Sequence, residues 1–256
     1  MHAGSLDGSL DVASLVARLH SDSPGSPELA AAELSRLMLK GADHQAAIAR
    51  AGAIEPLVAL VRSGSVGAQE AAAGVLGTLA FRNADNRVAI ARAGSIEPLA
   101  ALMRGGSAKA QEQAAGALAS LAYGSPDSQA AIRRAGAIEP LVALVRSGSA
   151  LAQGGAATAL GHLATDNTDN QAAIARAGAI EPLVALLRSG GAVAQQEAAA
   201  ALGNLAFANA DNSVAIARAG AIEPLVALMR SESAVAQQEA AFALGKLAED
   251  NADSQE

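Results

Sequence analysis

The chain has 256 residues and a formal net charge of −7, and 51% of it is apolar but only 2% aromatic, so Ala, Leu, Val and Ile carry the apolar mass. With no Cys there is no disulfide framework, Cys-type zinc finger or thiol nucleophile; the acidic balance argues against nucleic-acid binding. Ala-rich helices fit this composition better than a β-sandwich or barrel, and charges interrupt every apolar run before it reaches a membrane-spanning length.

The opening MHAGSLDGSLD has no basic stretch followed by an apolar one, so no secretory signal is expected. Residues 1–10 are expected to be disordered or weakly ordered. Asp11 to Leu19 and Pro27 to Leu39 then read as two helices of a partial unit, 11–41. Beyond it the segment AGAIEPL, or AGSIEPL, recurs at Ala51, Ala93, Ala135, Ala177 and Ala219, at a constant interval of 42 residues. The columns Asp43, Asp85, Asp127, Asp169, Asp211, Asp253 and Gln69, Gln111, Gln153, Gln195, Gln237 keep the same register. Five full repeats follow, 42–83, 84–125, 126–167, 168–209 and 210–251, giving one repeat array over 11–249 and a C-terminal tail, 252–256.

Each unit reads as three helices, and the fourth repeat illustrates it. A short first helix, QAAIARAG, is expected to be capped by Asp169 or Asn170, a column in which His44 replaces Asn or Ser. Gly178 ends that helix at positive φ, as do Gly52, Gly94, Gly136 and Gly220 in the other repeats. Ile180-Glu181-Pro182 opens the second helix, with proline in the first turn, where amide hydrogens have no partner to lose. Ser189-Gly190-Gly191 breaks it. The third and longest helix runs from about Val193 to Phe207. A unit this small cannot bury its apolar faces alone and must stack on its neighbours.

This pattern closely resembles the armadillo repeat family. The residues that carry the resemblance are the 42-residue period, the short-short-long helix order, the Gly-x-Ile-Glu-Pro-Leu-Val entry at Gly52 to Val58 with its four copies, and the string Ala201 to Ala206. It implies an all-α, right-handed superhelical solenoid, in which the outward side of each third helix lines a concave groove that binds an extended peptide. Tetratricopeptide and ankyrin arrays have shorter periods.

At about 100° per residue, Ala198, Leu202 and Leu205 fall on the buried side of the third helix. Gln196, Ala200, Gly203, Asn204 and Phe207 fall opposite. The Asn204 column reads Arg36, Thr78, Ser120, His162, Asn204, Lys246, and the column four residues earlier reads Ala32, Gly74, Gly116, Thr158, Ala200, Phe242. Peptide-binding members of the family hold the ligand backbone with an Asn ladder and pack its stems on Trp four residues before. Here Asn204 alone matches the Asn, and Phe242 is the only aromatic in the other column. The groove candidates are therefore Arg36, Thr78, Phe81, Glu112, Ser120, Tyr123, His162, Asn204, Phe207, Phe242 and Lys246. For Phe81, Tyr123 and Phe207 the favoured reading is nevertheless that they tuck against the next repeat's first helix. Glu28, Glu70 and Glu112 suit the positive end of the helix dipole, and Arg residues end the first and second helices where they complement the negative end.

The four His residues are too scattered for a metal cluster or a triad, and Asp166 to Gln171 lacks the central Gly and distal Glu of a calcium loop. No enzyme, metal or cofactor is expected. The reading is a cytoplasmic module, with the nucleus as the alternative compartment, that binds a basic or mixed peptide segment; Glu28, Glu70, Glu112, Glu197, Glu239 and Glu249 outnumber Arg36 and Lys246 on the groove side. Neither membrane nor nucleic acid is an expected partner. The rival reading is an assembly scaffold, or an engineered or reconstructed array with no selected ligand. Weak self-association is expected through the C-terminal end, where Val235, Ala241, Leu244 and Leu247 stand at positions that pack on a following unit and residues from Asn251 onward read as a loop and the beginning of a further first helix.

Overall fold

The computed structural model describes residues 9–21, 23 and 25–253. Among the described residues there are 17 α-helices and no strand. The chain divides into two compact units, Met1–Leu121 and Ala122–Glu256. In the first lie α1 (Ser9–Leu19), α2 (Ser26–Met38), α3 (Ala42–Arg50), α4 (Ile54–Ser63), α5 (Val66–Ala80), α6 (Ala84–Arg92), α7 (Ile96–Gly105) and α8 (Ala108–Ala122). The second contains α9 (Pro126–Arg134), α10 (Ile138–Ser147), α11 (Ala150–Ala164), α12 (Thr168–Arg176), α13 (Ile180–Ser189), α14 (Ala192–Ala206), α15 (Ala210–Arg218), α16 (Ile222–Leu228) and α17 (Ala234–Asp253). Residues 1–8 lie outside the described set, while Ser9 and Leu10 are already helical, two residues before the expected start of order.

The first helix of each repeat starts earlier than the sequence suggested. Its cap is not Asp169 or Asn170 but Asn167, whose side-chain oxygen accepts from the Asn170 amide; Asn83, Ser125 and Asn209 act alike. Asp169 stands exposed in the first turn, favoured by the dipole. Asn170 is fully buried and donates through Nδ2 to the Leu163 carbonyl at 2.8 Å, as Asn212 does to Leu205 and Asn86 to Leu79. The Asn column thus fastens the end of the preceding third helix. His44, in that column, instead leaves a buried Nδ1 without a partner.

Gly178 has φ 72° and closes the first helix by a Schellman pair. Its own amide donates to the Ala175 carbonyl at 2.9 Å, and the Ala179 amide donates to Ile174 at 3.3 Å. The other four glycines of the column also have positive φ, from 70° to 80°. Pro182 is buried in the first turn of α13. Third helices open on a serine cap, Ser65, Ser107, Ser149 and Ser233, each accepting from the amide three residues on. They close on a left-handed residue: Arg82, Asp166 and Ala208 have φ near +50°, and Gly124 has +63° in the same column.

In the fourth repeat Ile174 of the first helix, Leu183 of the second and Leu202 and Leu205 of the third are all fully buried; each such side chain contributes about 1.5–3 kcal/mol. In the second unit α11 packs along α14 and α14 along α17, and in the first unit α2 packs along α5. Small residues set these approaches. A Cβ on Gly161 would stand 3.2 Å from the Ala201 Cα, and one on Gly203 would stand 2.6 Å from the Phe242 ring. Gly203 is therefore buried rather than outward-facing, because the next third helix covers it.

The helix α17 continues through Asp253, so Asn251 to Asp253 are helical rather than a loop. Residues 254–256 lie outside the described set. Leu247 is buried at 3% exposure and belongs to the repeat's own core, not to an outer face, whereas Val235 is 50% exposed.

Candidate functional site

In the first unit the candidate residues sit on α2, α5 and α8. Four of them, Thr78, Phe81, Glu112 and Ser120, line one depression of about 250 Å³ between α5 and α8, with Gly74 and Gly116 in its wall. Thr78 donates back to the Gly74 carbonyl at 3.0 Å. Glu112 pairs with Lys109. Phe81 is 57% exposed, with the Arg82 guanidinium carbon 5.1 Å from its ring centroid. Arg36 lies outside this depression and pairs with Glu33 on its own helix at 3.1 Å.

The acids expected to serve the helix dipole also have a second task. Ser65 Oγ donates to Glu28 at 2.9 Å and Ser107 Oγ to Glu70 at 2.5 Å, so each carboxylate steadies the cap of the next third helix. The second-helix arginines likewise reach across repeats. Arg146 and Arg188 donate to the Gly178 and Gly220 carbonyls at 3.1 and 2.9 Å, at the C-terminal ends of the following first helices.

In the second unit Tyr123 is 57% exposed and meets His162 edge-on, with ring centroids 5.0 Å apart. Asn204 is half-buried, and among the described residues nothing holds its side-chain amide. Phe207, Phe242 and Lys246 come together, the Lys246 ammonium lying 5.1 Å from the Phe207 centroid and 5.9 Å from that of Phe242. Lys246 also pairs with Glu249 at 2.8 Å. Glu197 accepts from Thr158 Oγ1 at 2.8 Å. Burial, and then the Glu197 carboxylate, push the Glu239 carboxyl above its ordinary value of 4.5. Among the described residues neither acid is ion-paired to a cation.

The expectation that Phe81, Tyr123 and Phe207 tuck under the next first helix is overturned. Phe207 is 37% exposed and the other two more so. At Phe81 and Phe207 the chain leaves the third helix in an extended conformation and turns at the left-handed residue that follows, and Gly124 turns likewise after Tyr123, which leaves the rings outside. Beneath Phe207 the backbone is held by a residue that sequence reasoning missed. Gln171 is 1% exposed, and its Nε2 lies 3.0 Å from the Asn204 carbonyl, 3.1 Å from that of Phe207 and 3.3 Å from that of Ala164. Its Oε1 accepts from Asn209 Nδ2 at 3.0 Å. Gln129 makes the same clip one repeat earlier, to His162 and Thr165, with Asn167 donating back to it. These glutamines fix the backbone that carries His162, Asn204 and Phe207. The available signal was the same residue type, Gln129 and Gln171, recurring at one register position of two consecutive first helices.

Short-short-long helical repeats, stacked with their third helices side by side and one variable outward face, define an armadillo-type repeat scaffold. The Armadillo/beta-catenin-like repeat matches at residues 41–81, 83–123, 125–165, 167–207 and 209–249. The chain belongs to the armadillo repeat family. Among solved structures it is similar to an engineered protein, at 34% identity over 93% of this chain and 98% of that one, with a TM-score of 0.83. It is also similar to a designed armadillo repeat protein, at 28% identity over 92% and 99% of the two chains and a TM-score of 0.83. A further designed armadillo repeat protein, solved in complex with the peptide (KR)4, aligns at 27% identity over 92% and 99% with a TM-score of 0.79. No curated protein sequence matches the chain. No described helix is long and apolar enough to cross a membrane.

Proposed function

We propose that this chain is a non-catalytic interaction module whose third-helix faces bind an extended peptide segment of basic or mixed character, in the cytoplasm or nucleus. The observation that carries the reading is the arrangement on α14 and α17, where aromatic rings that already receive a cation stand beside carboxylates: Phe207 and Phe242 beside Glu249, and Glu197 next to Glu239 with no cation paired to either acid of that second pair among the described residues. A ligand cation relieves the repulsion between the two acids, and a ring offers its stem and charge a face. The amide of Asn204 can both donate to and accept from an extended backbone. A structural relative bound to (KR)4 is consistent with this chemistry. Third helices packed about 8–10 Å apart against a rise of about 3.3 Å per residue give two to three ligand residues per repeat.

Random-peptide display against the chain tests the reading: enrichment of Lys- or Arg-containing segments supports it, and enrichment of acidic segments or of nothing overturns it. The second reading, a stacking scaffold without a selected ligand, is favoured by the near-identical repeats in unbroken register, and the same selection separates the two. Self-association through the face of α16 and α17 is part of the proposal. Ile222, Val226 and Met229 are 46%, 40% and 39% exposed there, whereas their counterparts Ile180, Val184 and Leu187 are buried. A second copy covering this face buries little area per Ala-rich residue, so the contact is weak; sedimentation as a strict monomer at high concentration contradicts it.

A further inference from the structure

We infer that Lys246 is a built-in competitor: the chain's own ammonium occupies the cation subsite formed by Phe207, Phe242 and Glu249, and a ligand lysine or arginine must displace it. The inference rests on the peptide-binding reading and names a regulation of that same site.

The subsite is assembled from two repeats. Phe242 rises from α17 and lays its ring over Gly203 of α14, where any Cβ would collide with it. Phe207 stands at the end of α14 with its ring open to solvent. Lys246 is one helical turn beyond Phe242, on the same side of α17, and its ammonium reaches both ring centroids, at 5.1 and 5.9 Å. Glu249, one turn further, closes the cation's remaining side at 2.8 Å. Two aromatic faces and a carboxylate are a complete set of partners for an ammonium or guanidinium ion. The Lys246 side chain is only 19% exposed, so this is a seated cation rather than a solvated one.

The five corresponding positions in the other repeats hold Arg36, Thr78, Ser120, His162 and Asn204, and none of those repeats has an aromatic residue four positions earlier. The competitor and the ring that receives it thus occur together, in one repeat. An occupied site lowers apparent affinity by the fraction of time it is filled, and removing the occupant restores that fraction.

The test uses the full chain, the peptide (KR)4 as probe, and the variants Lys246→Ala, Phe242→Leu and their combination. In the free protein the ε-methylene protons of Lys246 should show an upfield ring-current shift relative to exposed lysines, and that shift should collapse in Phe242→Leu. In titrations Lys246→Ala should bind (KR)4 roughly fivefold to tenfold more tightly than the unaltered chain. Loss of a positive charge alone also favours a cationic ligand, so the cycle decides: in the Phe242→Leu background the same lysine removal should give less than about a third of that gain. Absence of the ring-current shift overturns self-occupation. Equal affinity of the unaltered chain and Lys246→Ala, or an equal gain in both backgrounds, overturns the competitor role alone. Binding of (KR)4 to none of these proteins overturns this inference together with the peptide-binding reading beneath it.

Discussion

Replacing Gln171 by alanine should be among the most damaging single changes to the second unit, although the residue carries no charge and touches no ligand. Its amide satisfies the carbonyls of Asn204, Phe207 and Ala164, and its oxygen satisfies Asn209 Nδ2, all at 3.0–3.3 Å in a site 1% exposed. Truncation removes about three net hydrogen bonds worth about 1 kcal/mol each and leaves an amide and carbonyls unpaired. Water entering the vacated space offsets part of this, so the expected loss is about 2–4 kcal/mol. Chemical denaturation of the variant gives the total, and amide hydrogen exchange locates it, with protection falling first in α12, α14 and α15. Gln171→Glu should be at least as harmful at neutral pH, since it turns an acceptor toward the carbonyls. That damage should ease at acid pH, when the buried carboxyl takes up a proton and donates. A loss below about 1 kcal/mol in Gln171→Ala refutes the idea that this clip holds consecutive repeats together.

Ala208 sits at φ +51°, where an L side chain is strained, and Gly124 fills the equivalent place; Ala208→Gly should raise stability by about 0.5–1 kcal/mol in thermal unfolding, and a decrease contradicts the strain argument. Asn204→Ala should weaken (KR)4 binding by about 1–2 kcal/mol through loss of backbone recognition, with unchanged far-ultraviolet circular dichroism; unaltered affinity removes Asn204 from the site. The Glu239 carboxyl titrates above its ordinary value because burial, and then Glu197, disfavour its charge. The folded state is therefore penalised as pH rises through that raised value, and the penalty is absent once pH falls below the ordinary value of 4.5. Glu239→Gln should accordingly stabilise the chain at neutral pH and lose that advantage in acid; equal effects at both pH values contradict it. A bound cation should lower the same carboxyl's affinity for its proton, so (KR)4 binding near that raised value should release protons, which calorimetry in buffers of different ionisation enthalpy detects.

The sequence showed the architecture because its signals are local and repeated. Gly178 needs positive φ, Pro182 needs a first turn, and the Leu202 and Leu205 spacing needs a buried side. The angle count put Asn204 and Phe207 on the open side, where they are. It failed where tertiary neighbours decide. Gly203 points outward on an isolated helix, yet Phe242 of the next helix covers it. Asn170 resembles a cap by type and place, but three residues earlier Asn167 takes that role and frees Asn170 for the carbonyl of Leu163. Three aromatic residues looked suited to burial, yet their rings stand exposed, and under Phe207 it is Gln171 that holds the backbone. Polar residues on the inward side of first helices carry no helical-period signal, so the interactions that position the candidate site stayed hidden until helices from adjacent repeats were seen together.

The central claim is that the third-helix faces receive a basic peptide. Titration of (KR)4 into isotopically labelled protein, followed by amide and side-chain chemical shifts, tests it most directly. The account predicts saturable shifts concentrated at Thr158, His162, Glu197, Asn204, Phe207, Glu239 and Phe242, with second-helix residues such as Leu187 and Pro224 unmoved. Shifts centred on the second helices, or none at ligand concentrations in the millimolar range, contradict it.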